Sequence, residues 1–216
     1  MENQKLELKK IICVICSICI SLIFTCHIVE RRMISVDAKI NDTQEALAEE
    51  VFRFHVLANS DEDKDQEVKL KVRDAVIMYM DRSMERDSKD SSEDTRQWAE
   101  EHLDELEMVA DRILEQEGFA YDAEAEVVRD YFPEKTYGDI TFPAGYYEAL
   151  RINLGEAKGH NWWCVLYPGL CFTSQTCAVV SEEGKEELKE ALTAEEYEMV
   201  TATSEFKIRW FFFGGN

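Results

Sequence analysis

The sequence predicts an α+β domain: a mixed β-sheet with about three helices packed on it, preceded by one N-terminal membrane or signal helix. Three observations carry this. An uncharged apolar run of 19 residues lies near the start, short stretches alternate with period two between Gly- and Pro-containing turns, and three longer stretches space their apolar residues by three and four. The chain has 216 residues, with 24 Lys+Arg against 45 Asp+Glu, a net charge of −21 and 45% hydrophobic residues. That mix supplies enough aliphatic and aromatic surface for one globular domain. The acidic excess, with no Lys/Arg cluster to offset it, argues against binding nucleic acid through its phosphates and against lying on an anionic lipid surface.

The apolar run is Ile11 to Val29, IICVICSICISLIFTCHIV. As a helix it would reach roughly 28 Å, close to the hydrocarbon thickness of a bilayer. A helix in a soluble core would carry a polar stripe, and this run has none. Residues 1–32 are therefore read as a signal or membrane anchor. No small-x-small cleavage triplet follows the run, which favours an anchor or an atypical signal. Lys5, Lys9 and Lys10 stand against Arg31, Arg32 and Lys39, a bias toward a cytoplasmic N-terminus that places the bulk of the chain outside the cytoplasm. Residues 33–50 read as a stalk or short helix, and 51–216 as a single extracytoplasmic domain.

Within that domain, Val51 to Ala58 alternates Phe52, Phe54, Val56 and Ala58 with Arg53 and His55, the period of a strand with one solvated side. Asn59-Ser60-Asp61 ends it and offers N-cap side chains to a helix over 63–80, whose apolar face is Val68, Val72, Ala75, Val76 and Tyr79. Residues 81–94 are polar and read as a mobile connection. A second helix is predicted over 98–117, with Gly118 placed for a left-handed C-cap. Tyr121 to Val127 alternates as a half-exposed strand, 133–138 turns the chain, and 140–142 pairs briefly. A strand over 146–154 follows, then one over 162–167 buried on both faces, a third helix over 182–200 and a last strand over 206–212. The helices are expected on one face of the sheet.

Candidate chemistry is sparse. His55 with Asp61 and Cys164 could make a Cys–His–acid hydrolase, against the plainer reading of a solvent-facing His and an ordinary helix cap. Cys164 and Cys171 bracket Val-Leu-Tyr-Pro-Gly-Leu, and a strand, a tight turn at Pro168-Gly169 and a returning strand would bring them within disulfide range. Two buried thiols are the other reading, and zinc a weaker third with no His or second close ligand pair alongside. Cys177 is left over. Trp162 and Trp163, being adjacent on a strand, point to opposite faces, so one is available as a docking anchor. Glu148 and Arg151 are expected to share a face and pair. Residues 81–130 hold 18 acids against 6 Arg/Lys, which reads as solvated helix surface. No metal-ligand, phosphate-loop or nucleophile-elbow motif occurs, so no metal and no cofactor is called for.

Phe54-His-Val-Leu-Ala-Asn-Ser-Asp61, Val68 to Ala75, Arg129-Asp-Tyr-Phe-Pro133, Tyr147-Glu-Ala-Leu-Arg151 and above all Gly155-Glu-Ala-Lys-Gly-His-Asn-Trp-Trp-Cys-Val-Leu-Tyr-Pro168 resemble the stage II sporulation protein R family of endospore formers. The resemblance covers about residues 51–172. It implies a protein made in the forespore and exported into the space between forespore and mother-cell membranes. There it would activate a membrane-embedded aspartic protease of the mother cell, which removes the pro-sequence of a sigma factor. On that reading the chain is a ligand and not an enzyme. His55, Asn59, Ser60, Asp61, Asn161, Trp162, Trp163 and Phe172 are then the expected partner-binding surface, and an envelope hydrolase using His55, Asp61 and Cys164 is the alternative.

Overall fold

The computed structural model describes residues 2–84, 91–171, 180 and 182–201. Met1–Asp42 falls in one compact unit and Thr43–Thr203 in another. The first contains most of helix α1, Glu2–Glu50. From Ile11 to Val29 its large apolar side chains are exposed, and among the described residues this is the one helix long and apolar enough to cross a membrane. Its four cysteines, Cys13, Cys16, Cys19 and Cys26, are free. Residues 33–50 are helical throughout, and Leu47, in the last turns, is buried in the second unit.

That unit is built on a four-stranded mixed sheet in the order β2-β5-β1-β6, from β1 Phe52–Leu57, β2 Ala123–Phe132, β5 Gly145–Leu154 and β6 Asn161–Tyr167. β1 runs parallel to β5 and antiparallel to β6, while β2 pairs antiparallel with β5 over their full length. A two-stranded ribbon, β3 Lys135–Tyr137 and β4 Ile140–Phe142, replaces the simple turn expected at 133–138. Helix α2, Asp63–Ser83, buries Val68, Val72, Val76 and Met80 at helical spacing. The predicted helix 98–117 is two helices, α3 Ser92–Glu101 and α4 Leu103–Glu117, broken at His102 and ended by Gly118 in the left-handed region. The third is likewise divided, into α5 Glu182–Ala191 and α6 Ala194–Thr201.

Both faces of the sheet are covered, not one. Phe52, Phe54 and Val56 with Leu150, Ile152, Leu154, Cys164 and Leu166 face α2, α3 and α4. On the reverse, Tyr147, Ala149, Val165 and Phe132 pack with Leu47, the β3–β4 ribbon and apolar residues of 188–200. β1 is thus a central strand, and the polar side chains of its alternation are interior: Arg53 and His55 are as buried as their apolar neighbours. The predicted strand 206–212 lies outside the described residues.

Candidate functional site

Because β5 and β6 flank β1 on opposite sides, the connection 155–160 must pass over the C-terminal end of β1. The crossing is made backbone to backbone: the Gly159 N–H donates to Ala58 O (2.9 Å) and the Lys158 N–H to Asn59 O (3.1 Å). The approach is so close that a Cβ on Gly159 would overlap the Ser60 carbonyl, which is why the crossing loop tolerates only glycine there.

Around this crossing the polar residues after β1 do not cap α2, whose N-cap position is Glu62 without a side-chain cap bond. Asn59 and Ser60 turn inward instead, while Asp61 stays exposed. Asp65, on the first turn of α2 and buried, accepts from Asn59 Nδ2 (2.9 Å), Ser60 Oγ (2.5 Å) and Tyr121 OH (2.6 Å). The carboxamide oxygen of Asn59 accepts from the Glu156 N–H (2.9 Å), so one side chain bridges α2 and the crossover loop. Burial raises the Asp65 pKa, but the hydrogen bonds from Ser60, Tyr121 and Asn59 outweigh it and hold the carboxyl below the usual aspartate range. Tyr121 is pushed up by burial and by its bond to that carboxylate. Asp61 accepts from the backbone N–H of His160 (2.7 Å) and pairs with His160 Nδ1, and these bonds lower its pKa. Lys69, buried on α2, donates to Gln66 Oε1 (2.5 Å) and His160 O (2.9 Å), and burial lowers its pKa.

A second cluster lies on the reverse face, in a row set by strand register: Glu126 of β2, Arg151 of β5, His55 of β1 and Trp163 of β6. Arg151 donates to Glu126 Oε1 (2.6 and 2.8 Å) and to Asp130 Oδ2 (2.8 Å), and Asn153 also reaches Glu126. Glu148 is three residues from Arg151 on the same strand and projects to the other face, so the expected Glu148–Arg151 pair does not form. The His55 ring stacks on Trp163 at 4.9 Å and 14°, with Nε2 3.6 Å from Asp130 Oδ2. Burial drives its pKa down to about 4, leaving it neutral near pH 7. Among the described residues neither ring nitrogen, nor the buried Asn161 Oδ1, has a hydrogen-bond partner.

The expected surface is thus three places rather than one. Asn59, Ser60 and Asp61 build the crossover; His55, Asn161 and Trp163 belong to the reverse face; Trp162 is on the opposite face, under the Arg73 guanidinium (4.7 Å) and edge-on to Phe54. Phe172 and Cys177 lie outside the described residues. Asp65, Lys69, Tyr121 and His160 were not predicted; only the Gly-x-x-x-Gly spacing of 155–159 hinted that something must pass close by. The hydrolase constellation is not assembled. Cys164 is joined to Cys171, Cα–Cα 6.2 Å, and its side chain faces α2–α4 while His55 faces the other way. Among the described residues no group of three or more His, Cys, Asp and Glu is placed to hold a metal ion.

What these features define is a disulfide-closed α+β domain behind a helix of membrane length, a build compatible with export or with anchoring at a membrane, with its polar side chains engaged in holding a surface rather than grouped as a thiol–imidazole centre. The family comparison agrees: the model for stage II sporulation protein R matches residues 48–177. The chain is 38% identical over 161 residues to the stage II sporulation protein R of Bacillus subtilis (strain 168), covering 74% of this chain and 70% of the relative. It belongs to the stage II sporulation protein R family. No solved structure matches it.

Proposed function

We propose that this chain is a contact signal of endospore formation, carried out of the forespore by its apolar N-terminal helix into the space between the two membranes. There the folded domain binds a membrane-embedded aspartic protease of the mother cell and activates it, and the protease matures a pro-sigma factor. The observation that carries this reading is membership of the sporulation family, in a chain whose domain follows a membrane-length helix. The crossover at the end of β1 suits such a role. Asp65 fixes Asn59 and Ser60, and the exposed Asp61–His160 pair beside them is held by the His160 N–H bond to Asp61 and the Lys69 bond to His160 O, so a partner need not order it on binding.

Contact alone activates only if the domain binds the active form of the protease more tightly than the inactive one. The test is co-expression of the full chain with the protease and its pro-sigma substrate in a host that does not sporulate. Maturation that depends on the chain supports the proposal, and its absence with all three proteins present overturns it. Alanine at Asn59 or Trp163 then locates the surface: a folded variant with undiminished maturation removes that residue from it.

A further inference from the structure

Strand β2 is an edge of the sheet, and its outer edge is closed over one half only. Its register with β5 is unbroken from Ala123 to Phe132, so alternate residues present their N–H and C=O outward. The outward set is identified by two bonds from helix α4: the Ala123 N–H donates to Asp111 Oδ1 (2.7 Å) and the Ala125 N–H to Glu107 Oε1 (2.9 Å). Carboxylates that cap an edge in this way prevent another strand from adding to it. By the same parity Val127, Arg129 and Tyr131 face outward. The Tyr131 N–H is held by the neighbouring Asp130 side chain (2.7 Å), whereas among the described residues the Val127 and Arg129 N–H groups meet no partner. Beside this open half stand two exposed aromatic rings paired across the strands, Tyr131 (50% exposed) and Tyr146 (60%), centroids 5.5 Å apart.

We infer that the open half of the β2 edge, Val127 to Tyr131, receives an extended segment of a partner protein as an additional β-strand, with basic residues at alternate positions. Charge selects that occupant. Glu124, Glu126 and Asp130 all project to one face of β2, where Arg151 offsets one of the three charges, so an added strand carrying Lys or Arg on that face meets net negative charge, and an apolar residue on the other face meets Tyr131. A second copy of this chain is disfavoured as the occupant, because antiparallel pairing of two β2 edges sets like charges opposite one another, Glu126 against Asp130 when centred on Val128 and Arg129 against its own counterpart when centred on Arg129. The inference goes beyond the proposed function: it concerns the sheet edge opposite β6 and holds or fails whether or not the partner is the protease.

The probe is an end-blocked alternating Lys-Val hexapeptide, added to the full chain in mild detergent while amide hydrogen exchange is followed residue by residue. At saturation the Val127 and Arg129 amides should slow by about tenfold or more, the protection expected of newly made main-chain hydrogen bonds. The same peptide with every amide N-methylated, which blocks both of its edges, should give no protection, and this separates strand pairing from attraction of a cationic peptide to an acidic protein. Arg129→Pro, which removes an outward N–H that β5 does not use, should abolish the effect. Should that variant not fold, the N-methylated peptide still decides. Unchanged exchange at Val127 and Arg129, or equal protection by both peptides, overturns the inference.

Discussion

Replacing Asp65 by alanine takes the acceptor from three donors at once, those of Asn59, Ser60 and Tyr121. Each bond ends on an ionised carboxylate, and all four side chains are partly or wholly shielded, so each loss costs about 1 kcal/mol or somewhat more once water re-enters. The sum is about 3–4 kcal/mol of stability. Asparagine keeps one oxygen where Asn59 and Ser60 donate, and the rotatable hydroxyl of Tyr121 can accept from its amide, so Asp65→Asn should lose only about 1–2 kcal/mol. Urea unfolding of the full chain in mild detergent, read by tryptophan fluorescence, measures both, since Trp162 and Trp163 begin the strand that leaves the crossover. The Glu156 amide should exchange faster in both variants because Asn59 loses its anchor. The sign with pH also follows. The Asp65 carboxyl is depressed in the folded state, so its contribution is complete above about pH 4 and disappears as pH falls below that, where wild type and Asp65→Asn converge. An Asp65→Ala variant within about 0.5 kcal/mol of wild type, against the several lost bonds expected, would show that Asp65 does not hold the crossover.

Three further outcomes are expected. Cys171→Ser opens a loop with a sequence separation of 7 and should cost about 2.5 kcal/mol in urea unfolding, an effect that reductant reproduces in wild type but not in the variant. His55 titrates near pH 4 when folded and near 6.5 when unfolded, so wild type should lose about 3 kcal/mol between those values as pH falls, a slope absent in His55→Phe. Arg53 is enclosed by Phe132, Phe142 and Tyr147 at 4.6–5.1 Å and donates to Cys164 O and Tyr137 OH, and among the described residues its Nη1 has no partner and no carboxylate forms an ion pair with it. Arg53→Met should therefore change stability by no more than about 1 kcal/mol, while Arg53→Lys, which buries a compact ammonium without the planar fork, should lose about 2 kcal/mol or more by the same measurement.

The elements of this fold were legible where local pattern and tertiary burial agree. Val68, Val72 and Val76 mark α2, Gly118 ends α4, and the apolar run over 11–29 stands out by length alone. The reading of β1 went astray because alternation reports side-chain chemistry and not exposure: Arg53 and His55 look solvated in sequence, yet aromatic rings from β2, β4, β5 and β6 enclose them. The start of α3 was readable, since Ser91 accepts from the Asp94 N–H in a cap that precedes the predicted helix start at Trp98. Asp65 was not. Within Asp61-Glu-Asp-Lys-Asp65 one carboxylate cannot be told from another until the crossover buries it, and Lys69 is equally anonymous on α2. The crossover itself depends on β5 and β6 flanking β1, a pairing fixed by contacts distant in sequence.

A comparison of compartments decides the functional proposal. The full chain and a chain lacking residues 1–32 are produced at equal levels beside the protease and its pro-sigma substrate, and maturation is followed over time. If the domain signals by touching the receptor's extracytoplasmic side, the full chain drives maturation and the cytosolic one leaves the substrate intact. Equal maturation from the version confined to the cytosol would contradict it.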